Sequence, residues 1–270
     1  MNDGTPIRID IEHHYPRGFR FRNFLEDSVQ ALVHCIRANG WSVGHRGRDA
    51  AIALGVHVSQ DPIVEAETIV LNTERTAPFV HGLLSEYVDR LRPAKAVWSL
   101  YEDDTAYLRE CGLNALTWHF GPDVFPQVVP PDPDPEFDFL FVGSITPHRR
   151  TRLDALERAG VRLCGALSIP WIDKCHHIGA ARAHLVLGYD ESAPYMPWQR
   201  VVFARAHGVP CVADFPATGA WGEQWCVCPR EEDHDWVAFA RSALDSSARL
   251  GSFEPTSHLS FCDLIERSLG

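Results

Sequence analysis

Basic side chains follow a glycine and a serine near the middle of the chain. Gly143 and Ser144 come directly after the apolar run 137–142, and Arg149 and Arg150 follow in the same stretch. A small residue at the carboxyl end of a parallel strand lets backbone N–H groups and a helix N-terminus approach an anion. Arginines at the start of a helix oppose its dipole, so they are poorly placed for stability and well placed to clamp a diphosphate. The pattern predicts a phosphate site, against the alternatives of an ordinary strand-to-helix turn and a solvated basic face.

Two histidines and a glutamate are candidates for proton transfer. His13 and His14 follow the alternating segment 7–12, and Glu74 ends the apolar segment 68–74. Because the carboxyl ends of parallel strands meet at one edge of a sheet, we expect all three side chains at that edge. A histidine needs no large pKa shift to act as a general base near neutral pH, whereas Glu74 would need its pKa raised by burial. We therefore predict His13 as the base; exposed turn histidines and a helix-capping Glu74 are the structural alternatives.

Apolar and amphipathic segments alternate along the chain. The apolar segments are short and continuous, as expected of strands covered on both faces of a parallel sheet. The amphipathic segments predict helices, several of which end at a glycine. The predicted strands lie at 7–12, 68–74, 94–101, 114–121, 137–142, 161–167, 183–189, 209–215 and 226–229. Segment 41–59 has weak periodicity, which leaves one or two short strands or a loop. The pattern predicts an α/β fold built from two β/α repeats.

The domain prediction depends on a cluster of prolines. Repeated X-Pro steps disfavour both helix and central strand, so segment 126–136 is predicted to be a linker. An N-terminal Rossmann-like domain is then expected over 1–125 and a C-terminal one over 137–254. A final helical stretch, 255–270, is expected to pack back on the first domain. A ligand cleft is expected between the two domains.

Composition excludes several classes of protein. The chain has 270 residues, 45% of them hydrophobic, and a formal net charge of −11, which argues against general binding to nucleic acid or anionic membranes. No apolar run approaches the roughly 20 residues that span a bilayer, and the N-terminus lacks a signal-peptide core, so we expect a cytoplasmic protein. Neither Cys175-His176-His177 nor the pair Cys226 and Cys228 has the spacing of a zinc site, and no metal or other cofactor is expected.

Several motifs carry a resemblance to a known family. The stretches FDFLFVGSITPHRR, AHLVLGYDE and PWQRVVFARAHGVPCVADF are similar to the group-1-like domain of GT-B glycosyltransferases, in particular the spore-maturation glycosyltransferase-like branch. The third stretch carries the pattern Arg-x₅-Ala-x-Gly-x-Pro, which begins at Arg200. The first half resembles the matching acceptor domain through LNTE, AKAVWSLYEDDTAYLRECG and TWHFGPDVF.

The resemblance implies both a fold and an activity. It implies two Rossmann-like domains facing each other across a cleft, and metal-independent transfer of a hexosyl or pentosyl group from a nucleotide-diphosphate sugar. Tyr189, Gln199 and Arg200 would join Gly143, Ser144, Arg149 and Arg150 in binding the donor. One departure concerns the ribose: many GT-B enzymes place a glutamate in the helix that begins here with Gln199 and Arg200, and a glutamine brings no charge.

Two other functions remain open from the sequence. The same fold could bind a nucleotide, a sugar or a partner protein without turnover, in which case no general base would be needed. The acceptor could also be DNA, if basic side chains of the first half form one face; these are Arg17, Arg20, Arg22, Arg46 and Arg48. The acidic net charge counts against this third function. The sugar, the nucleobase and the acceptor are not indicated.

Overall fold

The computed structural model describes residues 7–15, 22–45, 48–56, 64–73, 84–118, 121–126, 129–166, 169–189, 197–216, 226–229, 235–247 and 261–269. The chain divides into two compact units. The first comprises Met1–Phe120 together with Pro255–Gly270, and the second comprises Gly121–Glu254.

The strands are short and largely buried. In chain order they are β1 (Arg8–His13), β2 (Ser42–Val43), β3 (Ala50–Leu54), β4 (Thr68–Asn72), β5 (Ala96–Ser99), β6 (Ala115–Thr117), β7 (Phe137–Val142), β8 (Leu163–Ala166), β9 (Ala181–Val186), β10 (Cys211–Ala213) and β11 (Cys226–Val227).

The helices alternate with most of these strands. They are α1 (Arg22–Ala38), α2 (Leu84–Leu91), α3 (Glu102–Glu110), α4 (Pro147–Arg158), α5 (Trp171–Gly179), α6 (Trp198–Ala206), α7 (Trp236–Ser247) and α8 (Phe261–Leu269), with a 3₁₀ turn at Pro122–Val124. Among the described residues, no helix is both long and apolar enough to span a bilayer.

Each unit contains one parallel sheet. The first sheet has the order β2-β1-β3-β4-β5-β6 and the second the order β11-β10-β9-β7-β8. Counted from its own first strand, the second sheet repeats the 2-1-3-4-5 order that begins the first. In such doubly wound sheets, ligands bind beyond the carboxyl ends of the strands at the point where the strand order reverses. That point lies between β1 and β3 in the first unit and between β7 and β9 in the second.

The predicted α/β fold of two Rossmann-like units is therefore confirmed. That the units face each other across a cleft stays a prediction. Segment 41–59, which the sequence pattern left open, contains two short strands, β2 and β3. All five residues of β3 are buried. Its sequence AAIAL contains a single β-branched residue and no polar residue. Neither strand propensity nor an alternation of polar and apolar residues therefore indicated a strand here.

The proline-rich segment predicted as a linker contributes to the second unit. The backbone N–H of Asp132 donates to the carbonyl oxygen of Gly179, the last residue of α5, at 2.8 Å. A Cβ added to Gly179 would lie 3.1 Å from the carbonyl oxygen of Pro130, and one added to Gly208, after α6, would lie 3.2 Å from Cγ of Pro131. Prolines hold the chain extended without regular hydrogen bonding, so the segment packs against the ends of two helices.

The last helix, α8, packs in the first unit. Nε1 of Trp98 donates to Oγ of Ser268 at 2.8 Å. The ring of Phe261 lies 5.8 Å from that of Trp98, 5.6 Å from that of Trp118 and 6.1 Å from that of Trp41, measured between centroids. This aromatic cluster joins α8 to β5 and to residues that follow β6 and α1.

Removing the ring of Phe261 should destabilise the first unit. Phe261→Ala is expected to lower its free energy of unfolding by about 3–5 kcal/mol, because a buried aromatic contact and its packing are lost. The matched control is Glu266→Ala on the exposed face of the same helix, which should change stability by about 0.5 kcal/mol or less. Urea denaturation followed by tryptophan fluorescence measures both, and equal stability of the two variants would contradict the packing role.

Candidate functional site

The carboxyl edge of the second sheet brings three chain segments together. Gly143 and Ser144 follow β7, residues 187–189 follow β9, and Asp214 follows β10. The N-terminus of α4 begins at the same edge, with Thr146 as its N-cap. The Oγ1 of Thr146 accepts a hydrogen bond from the N–H of Arg149 at 3.3 Å and donates to the carbonyl oxygen of Tyr189 at 2.7 Å.

Arg149 lies buried inside this edge, with 3% of its surface exposed. Its Nε donates to the carbonyl oxygen of Gly188 at 3.0 Å, and Nη2 donates to that of Leu187 at 3.0 Å. Its Nη1 donates to the carbonyl oxygen of Ser144 at 2.9 Å and to Oγ of the same residue at 3.2 Å. The guanidinium therefore bridges the ends of β7 and β9. Arg149 is thus a buried cation that holds the edge together, and its predicted role in clamping a diphosphate stays a prediction.

Gly143 leaves room for two guanidinium groups. A Cβ built on it would lie 3.1 Å from Nη1 of Arg200, 3.2 Å from Cζ of Phe141 and 3.5 Å from Nη1 of Arg149. Arg200 lies in the first turn of α6, so this helix also begins near the end of β7. The side chains of Arg149 and Arg200 therefore converge on one point. Two like charges repel there, and an anion at the same point would be attracted by both.

The other predicted donor residues occupy different positions. Arg150 is exposed and forms a long ion pair with Asp154 on the same helix, at 3.9 Å. Gln199 is half-buried in the first turn of α6, beside Arg200. The ring of Tyr189 is exposed and lies over the guanidinium of Arg149, with 5.5 Å from Cζ to the ring centroid. Binding of a donor by any of these side chains stays a prediction.

Asp214 is a carboxylate at this edge that was not among the residues predicted from the sequence. Oδ1 of Asp214 accepts a hydrogen bond from the N–H of Gly188 at 2.8 Å, and Oδ2 lies 2.6 Å from Nε2 of His148 and 3.6 Å from Nε of Arg152. The side chain of Asp214 is 1% exposed. Its sequence signal was a polar residue at the end of an apolar strand, the same signal that selected Ser144.

A histidine is buried within the same sheet. His184 lies in β9 and is 2% exposed. Burial, followed by the positive charges of Arg200 and Lys174, lowers the pKa of His184 to about 3. The imidazole is therefore neutral at physiological pH, so it adds no third charge beside these two cations. Its sequence signal was a histidine inside an otherwise continuous apolar segment, which the sequence-based prediction did not use.

The carboxyl edge of the first sheet carries the predicted base. His13 ends β1 and is exposed. Its Nδ1 lies 3.0 Å from Oη of Tyr15, and the two rings meet edge to face with centroids 5.4 Å apart. Partial desolvation of the ring, opposed by the nearby Asp10 carboxylate, lowers the pKa of His13. A neutral imidazole at neutral pH is the protonation state that a general base requires.

Gly55 makes space for Tyr15. This glycine follows β3 with φ of 76°, and a Cβ built on it would lie 3.0 Å from Cδ1 of Tyr15. The tyrosine ring thus packs directly on the backbone at the point where the strand order of the first sheet reverses. A side chain at position 55 would displace it, and both the left-handed backbone and the contact favour glycine.

The remaining candidates in the first unit are His14, Glu74 and the arginines of the predicted DNA-binding face. His14 places Nε2 3.3 Å from Oε2 of Glu12, so its described contact is with a neighbouring carboxylate. Glu74 lies outside the described residues, as do Arg17, Arg20 and Arg46 and the side chain of Arg22. Arg48 forms ion pairs with Asp10, Glu12 and Glu65. Three carboxylates around this arginine reduce the positive potential that a DNA-binding face would need.

Among the described residues, no group of three or more potential ligands is placed to hold a metal ion. No disulfide joins any of the eight cysteines, all of which the structure describes. Burial raises the pKa of Cys226 well above its usual range, and neighbouring Cys211 adds to the effect. The Cys226 thiol is therefore protonated and behaves as a small apolar side chain.

A scan against protein-family models finds no match, and a search of curated proteins finds none either. Among solved structures, the chain is similar to a mutant of S. aureus TarM in complex with fondaparinux, alpha-GlcNAc-glycerol and UDP. The identity is 9% over 74% of this chain and 50% of that one, with a TM-score of 0.45. The chain thus spans about half the length of that protein.

A second similar structure is the DNA-modifying enzyme beta-glucosyltransferase, with and without uridine diphosphoglucose. Here the identity is 13%, each chain is covered to 90%, and the TM-score is 0.49. At such identities, neither similarity assigns a donor or an acceptor to this chain.

Replacing Arg149 should lower the stability of the second unit. Arg149→Met is expected to lower the free energy of unfolding of the second unit by about 3–5 kcal/mol, because the carbonyl oxygens of Ser144, Leu187 and Gly188 lose buried donors. Arg150→Met, one residue further along the same helix, is exposed and should change stability by about 0.5 kcal/mol or less. Urea denaturation compares them, and a neutral Arg149→Met would show that the buried network contributes little.

The buried histidine should make the second unit sensitive to acid. The unfolded chain binds a proton at His184 below about pH 6.5, whereas the folded chain does so only near pH 3. Between about pH 6.5 and pH 3 the unfolded state therefore binds more protons than the folded state. The free energy of unfolding should fall by about 1.4 kcal/mol for each unit by which the pH is lowered in this range. His184→Leu should remove about 2–3 kcal/mol of this loss between pH 6.5 and 4.5. His176→Leu, on the exposed side of α5, is the control and should keep the wild-type dependence in urea denaturation at both pH values.

Proposed function

We propose that this chain is a glycosyltransferase that moves a sugar from a nucleotide-diphosphate donor to a hydroxyl or amine acceptor, without a metal ion. The second unit binds the donor and the first unit supplies the general base. The observation that carries the proposal is the convergence of Arg149 and Arg200 on Gly143, at the point where the strand order of the second sheet reverses.

The chemistry of a diphosphate matches this edge. A nucleoside diphosphate leaving group carries its charge on several oxygens and needs donors that are already in place when the bond breaks. Arg200 can offer a planar pair of N–H donors at this edge. The N-termini of α4 and α6 add their dipoles at the same edge. The site thus contains the stabilising groups that transfer without a metal requires.

The proposed reaction is a single displacement at the anomeric carbon of the sugar. The acceptor oxygen or nitrogen forms a bond to this carbon, while the bond from the carbon to the diphosphate oxygen breaks. The nucleoside diphosphate leaves with the electron pair, and the acceptor proton passes to a general base. This step inverts the configuration, and its charge develops on the oxygens nearest Arg200 and Gly143.

His13 is the base that we propose. It is exposed at the carboxyl edge of the first sheet, and its lowered pKa keeps the imidazole neutral near pH 7. Losing a general base typically slows turnover by about 10²–10⁴-fold. His14 and Glu74 are the alternative bases.

Replacing Arg200 tests the donor site directly. Arg200→Lys keeps the positive charge and removes the planar pair of donors, so the dissociation constant for a nucleoside diphosphate should rise by about tenfold or more. The control is Arg205→Lys in the last turn of the same helix, which should leave affinity unchanged. Isothermal titration of wild type and both variants with UDP, GDP, CDP and TDP measures the effect.

Two outcomes would contradict the proposal. If wild type binds none of the four nucleoside diphosphates, the second unit is not a donor site. If it binds one of them, and the matching sugar nucleotide is neither transferred nor slowly hydrolysed, the chain is a binding protein of the same fold. Unchanged affinity in Arg200→Lys would remove Arg200 from the site while leaving the donor in place.

A further inference from the structure

Two cysteines lie side by side on neighbouring parallel strands of the second sheet. Cys211 begins β10, Cys226 begins β11, and the two are partners in the strand register. Side chains alternate between the two faces along a strand, and the next pair, Val212 and Val227, packs in the core on the opposite face. The two thiols therefore share the face that α6 covers, where Sγ of Cys211 donates to the carbonyl oxygen of Val201 at 3.8 Å.

The two thiol groups are already in contact. The thiol of Cys226 is hydrogen-bonded to that of Cys211. Both residues are buried, with 3% of Cys226 and 0% of Cys211 exposed. Neighbouring strands lie about 4.7–4.9 Å apart, whereas cysteines joined by a disulfide have Cα atoms about 4.4–6.8 Å apart. The sheet therefore holds Cys211 and Cys226 at a separation that a disulfide bond can bridge.

Strand β11 is a short element at the edge of the sheet. It consists of Cys226 and Val227, and β10 is its neighbour in the strand order. While β11 is paired, the thiols are protected, because burial and the neighbouring Cys211 raise the pKa of Cys226 and the thiolate is the form that reacts. Short elements with few backbone hydrogen bonds open at low cost in free energy. We therefore expect the thiols to react slowly, through the open form of β11.

We infer that Cys211 and Cys226 are a site of reversible oxidation, at which a disulfide bond ties the edge strand β11 to β10. The oxidant is a low-molecular-weight disulfide such as glutathione disulfide. The thiolate of one cysteine attacks a sulfur of glutathione disulfide, which forms a mixed disulfide and releases one glutathione. The second cysteine then attacks the protein sulfur of the mixed disulfide and releases the other glutathione. Two protein thiols thus lose two electrons and two protons, and two glutathione thiols take them up.

The position of the bond determines what it does. It closes the loop between residues 211 and 226, so it removes conformational freedom from the unfolded chain and stabilises the second unit. Cys211 lies at the amino end of β10, whereas Asp214 follows the carboxyl end of the same strand, about 10 Å further along. The inference is therefore independent of the proposed function, because neither thiol lies at the carboxyl edge of the sheet.

The test compares the oxidised and the reduced chain. Wild type is incubated with glutathione disulfide or dithiothreitol, alkylated with iodoacetamide in urea, and digested with chymotrypsin, which cuts after Trp221 between the two cysteines. Mass spectrometry should find two peptides joined through Cys211 and Cys226 after oxidation, and dithiothreitol should separate them again. The midpoint of thermal unfolding of the second unit should rise by about 5–10 °C on oxidation, as expected for a closed loop of about 15 residues.

Four variants assign the effect to particular thiols. Cys211→Ala and Cys226→Ala should each lose both the joined peptides and the rise in the unfolding midpoint. Cys228→Ala removes the half-buried thiol that follows β11, and Cys35→Ala removes a buried thiol from α1; both variants should behave like wild type. The midpoint of each reduced variant is its own reference, so a loss of stability caused by the substitution itself does not affect the comparison.

Several results would overturn the inference. Glutathione that remains bound to Cys211 or Cys226, with no bond between the two residues, would show that the strands do not bring the sulfur atoms together. A disulfide between Cys226 and Cys228 alone would place the oxidation within one strand and leave β11 untied. Joined peptides without a rise in the unfolding midpoint would show that the bond does not stabilise the second unit. Joined peptides that persist in Cys226→Ala would assign the bond to another cysteine.

Discussion

The carboxyl edge of the second sheet depends on one buried cation. Placing the guanidinium of Arg149 in the interior costs several kcal/mol of hydration. Carbonyl oxygens at the ends of β7 and β9 offset this cost, because the chain leaves its sheet hydrogen bonding there and would otherwise bury unpaired acceptors. The planar group of donors suits this task, since one side chain reaches acceptors on two strands at once. Gly143 and Tyr189 owe their positions to this bridge.

The same edge shows how a parallel sheet can prepare a binding surface before a ligand arrives. Asp214 accepts a hydrogen bond from the N–H of Gly188 and pairs with His148, so it complements Arg149 on the opposite side of the loop after β9. Thr146 both caps α4 and holds the carbonyl of Tyr189. These contacts hold Gly188 and Tyr189 by side-chain bonding instead of regular structure. A surface held in this way gives up little entropy when a ligand binds.

The two units share a strand order and differ in the chemistry at their carboxyl edges. In the second unit, cations converge where the strand order reverses, and His184 stays neutral beside Arg200 and Lys174 because burial and like charge oppose its protonation. In the first unit, the corresponding edge presents His13, whose pKa is lowered. His13 contacts Tyr15, and Tyr15 in turn packs against Gly55. One edge is suited to an anion and the other to accepting a proton. This difference is what the proposed transfer of a sugar requires of two otherwise similar units.

The sequence by itself determined the alternation of strands and helices, because continuous apolar runs and amphipathic periods depend on local pattern. It also identified the edge residues Gly143, Ser144 and His13, since small and polar residues that follow buried strands lie at the carboxyl edge of their own parallel sheet. Arg200 was identified through the resemblance. Tertiary structure decided what those residues do. Whether an arginine at the start of α4 faces solvent or the interior depends on carbonyls after β9, far away in sequence, so Arg149 and Arg150 could not be told apart by type or spacing. Strand β3, the proline segment and Asp214 were likewise assigned only by packing, because their environments are made by distant segments that no local pattern records.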